Sequence, residues 1–150
     1  MTLKQFIVVI KKESNLGLSV GSIFDIWNNS YLDVMRINDE LLGIIDRIRK
    51  NYKVGLISNV NEFHAEINKK RGLFSHFNPC ILSCDVGMAK PDKEIFELAL
   101  KMLKLGPGEC VFIDDREKHL KTAKSMGFNT MLFTGNKEFL SELKKLKIKV

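Results

Sequence analysis

The sequence predicts an α/β fold, a parallel sheet with helices packed against it, and three observations carry that prediction. Short apolar runs alternate with longer segments whose apolar residues recur at helical spacing. Gly, Pro and Asn punctuate the boundaries between the two kinds of segment. The strand-like runs end in polar residues, Ser58 and the Asp114-Asp115 pair, as expected where the carboxyl ends of parallel strands open onto a ligand crevice.

Residues 1–37 differ in texture from the rest of the chain and read as an attached helical element. Thr2 as N-cap with Leu3, Phe6, Ile7 and Ile10 fits a first helix, and Ser22 to Asn29 fits a second around Ile23, Ile26 and Trp27. Phe6 to Ile10 is also a compact, β-branched run that fits a buried strand. Helix is the favoured reading.

From Asn38 the alternation is regular. Asn38 caps a helix from Asp39 with Leu41, Leu42, Ile45 and Ile48 inward; Val54 to Ile57 is a strand ending at Ser58; Asn61 opens a helix that Gly72 closes. Cys80 to Ser83 reads as a strand followed by a loop through Gly87. A helix starting near Pro91 and Asp92 buries Ile95, Leu98, Ala99, Met102 and Leu103, and Gly106-Pro107-Gly108 breaks it. Val111 to Ile113 forms a strand ending at Asp114 and Asp115. Next come a helix with Leu120, Ala123 and Met126 inward, a stop at Gly127, a strand from Met131 to Phe133 and an amphipathic helix to about Leu146. Such alternation is the signature of βαβ units and a Rossmann-like parallel sheet with flanking helices.

Composition narrows the function. A 45% hydrophobic content supports a normal core. The formal charge of +6 is spread over several helices, and the one dense run, Lys144, Lys145, Lys147 and Lys149, sits where cations suit a helix end. No nucleic-acid partner is expected. No apolar run approaches the ~20 residues of a membrane span and no signal-peptide pattern follows Met1, so no membrane partner and a cytoplasmic location are expected. Cys80, Cys84 and Cys110 fit buried free thiols in a reducing compartment. His76, Cys80 and Cys84 fall at intervals of four, but Pro79 and the strand-like run set a helical metal site aside.

Ser58, Lys90, Asp114 and Asp115 share one plausible task. Adjacent carboxylates repel unless a cation lies beside them, and hard, small Mg²⁺ suits oxygen ligands facing a phosphate. A hydroxyl and backbone amide at Ser58-Asn59 suit a phosphoryl oxygen, and a Lys ammonium offsets its charge. Each residue also has a plain structural reading as turn, surface or cap. His64 and Arg116, near the same crevice, read more simply as helix-start polarity.

Val54-Gly55-Leu56-Ile57-Ser58-Asn59, Gly87-Met88-Ala89-Lys90-Pro91-Asp92 and Phe112-Ile113-Asp114-Asp115 resemble, in order, the second, third and fourth motifs of the haloacid dehalogenase superfamily. The resemblance spans about residues 20–135 and implies a Mg²⁺-dependent phosphatase acting on a small phosphorylated metabolite. By that resemblance Ser58 and Asn59 bind phosphate, Lys90 is the phosphate-binding and catalytic cation, and Asp114 and Asp115 serve the metal. His119 stands where such proteins often carry Asn or Asp.

The family's first motif, an Asp-x-Asp whose first carboxylate is the nucleophile, has no counterpart before Ser58; the strand reading of Phe6 to Ile10 would put Lys11 and Glu13 there. The resemblance implies a partial helical cap over residues 1–37, a core over 38–150 lacking its first strand, a first strand upstream of Met1 and, for this chain alone, at most trace turnover. The alternative is a non-catalytic relative that binds a phosphorylated ligand or a protein. Without that strand, either the strands ending at Ser58 and Asp114 pair directly or their inner edges stay open and invite self-association.

Overall fold

The computed structural model describes residues 3–15 and 17–150. Helices α1 (Leu3–Ser14) and α2 (Val20–Val34) pack on each other, so residues 6–10 are helical, as favoured from sequence. Thr2, the expected N-cap of α1, lies outside the described residues. Ser19 caps α2 by accepting from the Ser22 N–H at 2.9 Å, so this helix is longer at both ends than the predicted Ser22 to Asn29. Its phase also differs from expectation. Phe24 packs against Phe63 with ring centroids 4.4 Å apart, and this orientation turns Ile26 outward to 55% exposure.

After Asn38, whose side chain accepts from the Leu41 N–H at 3.0 Å, α3 (Asp39–Ile48) leads to β1 (Leu56–Ser58) and α4 (Glu62–Lys70). Asn61 caps α4, and Gly72 takes the left-handed conformation, φ 77°, just beyond it. There follow a 3₁₀ turn (Leu73–His76), β2 (Cys80–Leu82), the single turn α5 (Ser83–Val86) and α6 (Lys93–Leu103). A second 3₁₀ turn at Pro107–Glu109 then leads to β3 (Val111–Asp114), α7 (Glu117–Ser125), β4 (Asn129–Leu132) and α8 (Asn136–Lys145). Asn38 and Asn136 exchange amide hydrogen bonds of 3.0 and 3.1 Å, tying the starts of α3 and α8 together.

The architecture is α/β with two small parallel sheets and flanking helices. β1 pairs with β2 (Leu56 opposite Cys80) and β3 with β4 (Val111 opposite Asn129), and the two pairs are separate sheets. The strands ending at Ser58 and Asp114 therefore do not pair with each other. Helices nevertheless cover both pairs jointly. On one face, Ile81, Ile95, Phe96, Ala99, Ala123 and Phe128 form a cluster that draws in Ile57 of β1 and Phe112 of β3. On the other, Ile44 and Ile48 of α3 join Met131, Phe139 and Leu143, with Val54, Val111 and Ile113 packed against them.

Several element bounds are corrected. The first strand begins at Leu56 rather than Val54: Val54 O accepts from Asn78 N–H at 2.8 Å, Pro79 has no N–H to continue a regular ladder there, and the ladder becomes regular where Leu56 N–H reaches Pro79 O at 2.9 Å. Ser83 opens a helical turn instead of ending a strand, its hydroxyl bridging the Val60 N–H and C=O. On α6 the buried face runs through Ile95, Phe96 and Ala99, leaving Met102 51% exposed. β4 begins at Asn129, whose N–H bonds Cys110 O, and ends before Phe133. Among the described residues no helix is long and apolar enough to cross a membrane.

Candidate active site

Lys90 is held by its backbone before its side chain does anything. The Asn59 amide, just past β1, donates to Lys90 O at 2.7 Å and accepts from Lys90 N–H at 2.8 Å, fixing the loop before α6 against the end of β1. The ammonium then reaches across to β3 and donates to Asp114 Oδ2 at 2.7 Å, lying 5.7 Å from the Phe112 ring centroid. The other carboxylate oxygen accepts from Arg116 N–H at 2.9 Å and lies 3.0 Å from His119 Nδ1. Asp114, His119 and Lys90 side chains are only 5, 7 and 12% exposed.

Burial pushes the Asp114 carboxyl up, but the Lys90 hydrogen bond, the Arg116 N–H, the Lys90 charge and His119 together outweigh it and hold the group below its ordinary value of 3.8. Asp114 is thus a buried anion sustained by three neighbours. The structure joins Asn59, Lys90 and Asp114 in one chain of contacts. Ser58, half-buried at the end of β1, lines a cavity of about 380 Å³ with Asn59, Tyr31, Leu41, Ile45 and His64. Asp115 is exposed.

Sequence reasoning named two histidines near the site but not their contacts. His119 enters as a buried partner of Asp114; the available signal was its place in the first turn of α7, within reach of the end of β3. His64 is stacked on Tyr31 with centroids 3.6 Å apart and receives the Trp27 indole N–H at 3.0 Å. Its other ring nitrogen lies 3.0 Å from the Asn61 amide nitrogen, and burial holds its pKa below 6.5. It joins α4 to α2, a contact no local pattern announces. Arg116 touches Asp114 through its backbone.

Two neighbouring carboxylates are the hard oxygen donors that Mg²⁺ takes. Both Asp114 oxygens are engaged, Asp115 is open, and no group of three or more His, Cys, Asp or Glu side chains able to hold a metal occurs among the described residues. That set fits an ion using one or two carboxylates and completing its shell with water and phosphate oxygen.

Comparison with known proteins identifies the family and the fold. Bifunctional epoxide hydrolase 2 of Sus scrofa is 46% identical over 71 residues, covering 47% of this chain and 13% of that protein. D-ribitol-5-phosphate phosphatase of Bacteroides thetaiotaomicron is 30% identical over 116 residues, 73% of this chain and 54% of that one. The chain thus spans about half the length of the latter and a small part of the former. A wild-type HAD family enzyme of Bacteroides thetaiotaomicron, solved with magnesium and inorganic phosphate, superposes with TM-score 0.79 at 27% identity over 93% of this chain and 74% of that one. The profile of the haloacid dehalogenase-like hydrolases matches residues 21–127, a stretch containing Ser58, Lys90 and Asp114. By that match, the chain belongs to the haloacid dehalogenase-like hydrolase family.

Proposed function

We propose that this chain is the phosphate- and Mg²⁺-binding body of a cytoplasmic phosphatase for a small phosphorylated metabolite, with residues 1–37 as a partial cap over a core of residues 38–150. The observation that carries the reading is the Asn59–Lys90–Asp114 connection at the ends of β1 and β3. Ser58 offers its hydroxyl to a phosphoryl oxygen. Asn59 orients Lys90, whose ammonium offsets the phosphoryl charge. Asp114 and Asp115 would hold Mg²⁺ through oxygen, and the ion, when bound, adds further charge compensation at the phosphate. The similarity to D-ribitol-5-phosphate phosphatase supports a small organic phosphate as ligand.

No Asp-x-Asp precedes Ser58, so residues 1–150 alone are expected to bind phosphate rather than turn over an ester. Calorimetric titration with inorganic phosphate should show binding that strengthens with Mg²⁺ and is lost in Lys90→Met and weakened in Ser58→Ala. An assay with p-nitrophenyl phosphate should show trace hydrolysis at most. Phosphate binding indifferent to Lys90→Met would overturn the site, and robust hydrolysis would overturn the account of the nucleophile. The engagement of both Asp114 oxygens favours a second reading, a non-catalytic phospho-ligand or protein binder, in which phosphate binds without any effect of Mg²⁺.

A further inference from the structure

We propose that the end of the molecule at the amino termini of β1 and β3 is a docking surface for an anionic lipid bilayer, held by a cluster of lysines and seated by exposed apolar side chains among them. Three segments distant in sequence meet there, and Tyr52 and Lys53, just before β1, join them. The Tyr52 hydroxyl accepts from Lys149 N–H at 3.2 Å, and the Lys53 ammonium donates to Leu103 O at 2.8 Å. These two bonds set the loop at 50–53 against both the end of α6 and the tail that follows α8. Ile148 anchors that tail, its N–H on Leu143 O at 2.9 Å and its side chain packed against the cluster that contains Ile48.

The charge of this end is one-sided. Lys50 and Lys53 come from the loop, Lys101 and Lys104 from the end of α6, and four more lysines from residues 144–149, all of them exposed. No Asp or Glu occurs in segments 50–53, 101–105 and 143–150. Without these eight lysines the 24 basic and 18 acidic residues become 16 and 18, so the rest of the chain carries −2 and this end holds more than the whole net charge of +6. Helix ends explain only part of the cluster. The pull of a helix C-terminus fades within its last turn, and Lys50, Lys53, Lys147 and Lys149 lie beyond the ends of α3 and α8. Of the eight ammonium groups, only those of Lys53 and Lys145 have a partner among the described residues, Leu103 O and Glu142. Like charges gathered without acids repel one another, and an extended anionic surface relieves that repulsion.

The residues between the lysines select the occupant. Tyr52, Leu146 and Val150 are exposed. Apolar side chains set among lysines suit a lipid interface, where the former enter the acyl boundary and the ammonium groups meet anionic headgroups. A nucleic-acid surface would present arginine forks and aromatic platforms. Here all eight cations are lysines, and Tyr52 is the one aromatic residue of the three segments. Arg49, next in sequence, already donates to Ser75 O at 3.0 Å. Ser58 and Asp114 lie at the opposite, carboxyl ends of β1 and β3, so a bilayer bound here does not cover the phosphate site, and this surface stands or falls independently of the phosphatase reading. The membrane partner set aside from sequence for want of a spanning run returns as a surface to which the chain adheres without crossing.

The test is co-sedimentation of the full chain with vesicles, either phosphatidylcholine alone or phosphatidylcholine mixed with phosphatidylserine. The chain should pellet with the mixed vesicles at about 0.1 M salt, stay in solution with the neutral ones, and be released at about 1 M salt. The double variant Lys147→Gln/Lys149→Gln should bind roughly thirtyfold more weakly, at about fivefold for each lysine near the surface. Leu146→Ser should weaken binding about fivefold, whereas Lys118→Gln/Lys121→Gln, the same charge change near the start of α7, should alter it less than about twofold. Failure to pellet with the mixed vesicles at low salt would overturn the proposal, as would equal losses in the two double variants, which would reduce the effect to net charge. An oligothymidylate bound more tightly than the vesicles, and indifferently to Leu146→Ser, would overturn it in favour of nucleic acid.

Discussion

Two joints hold this molecule together, and they are built from different chemistry. The joint between the β1–β2 and β3–β4 halves is buried: Phe96 meets Phe112 and Phe128 edge-on at 5.0 and 6.1 Å, and Lys90 meets Asp114 at 2.7 Å. The joint between α2 and the rest is half-exposed and neutral: Tyr31 and Trp27 against His64, Phe24 on Phe63, and Asn68 donating to Tyr31 O–H at 2.7 Å. The contrast predicts that damage at the first joint should unfold the whole molecule, whereas damage at the second should free α2 and leave the core standing.

The largest effect is expected from Lys90→Met, which leaves the Asp114 carboxylate buried without its cation. The loss is about 3 kcal/mol, the lower end for a broken buried pair, since His119 and the Arg116 N–H remain. Urea unfolding should show one transition shifted as a unit.

Tyr31→Ala should cost about 2 kcal/mol, because it removes the stack on His64 and leaves the Asn68 amide, 7% exposed, without its acceptor. Hydrogen exchange should place that loss in α2 while β1 to β4 keep their protection. Uniform loss across the sheets would erase the distinction between the joints.

Acid should open the two joints in separate windows. Trp27 donates its indole N–H to His64 Nε2, and an imidazolium, protonated at that nitrogen, cannot accept it. A histidine whose pKa is depressed by folding binds more protons when unfolded, so its stabilisation is complete above 6.5 and declines as pH falls below it toward the depressed value. Asp114, depressed from 3.8, contributes in full above that value and loses its contribution as pH falls further. Fluorescence of Trp27, the single tryptophan, should therefore change first, and far-UV circular dichroism later. His64→Gln should remove the first step alone. Simultaneous changes would mean that the joints are coupled.

The smallest expected effect is that of Asn38→Ala, about 1 kcal/mol, through lost capping of α3. It should leave the order of the two acid steps unchanged.

The order of helices and strands was legible because helical spacing survives in α3 and α6 and because Asn38, Asn61 and Gly72 carry boundary chemistry. The three loops reaching the strand ends were legible for the same reason: Ser58, Lys90 and Asp114 each terminate or precede a recognisable element. Strand bounds were not. The Asn129 and Thr130 side chains look like loop, yet their backbone pairs with Cys110 and Phe112. Met102 and Phe96 are both apolar, and which one faces inward depends on Phe112 and Phe128, which sequence spacing cannot place. The Trp27–His64 contact is equally opaque, as it joins helices through tertiary packing alone. His119 could have been read as a partner for Asp114 from proximity along the chain, but its burial came only from the packing of α7.

The strand order also shapes how the molecule regains its structure. Each strand pairing, β1 with β2 and β3 with β4, joins neighbours in sequence, so neither has to wait for the other during renaturation. Pairing can begin at two places independently, but neither pair is covered until the halves meet at the Phe96 interface, so a folding-rate measurement on Phe96→Leu should show the largest change.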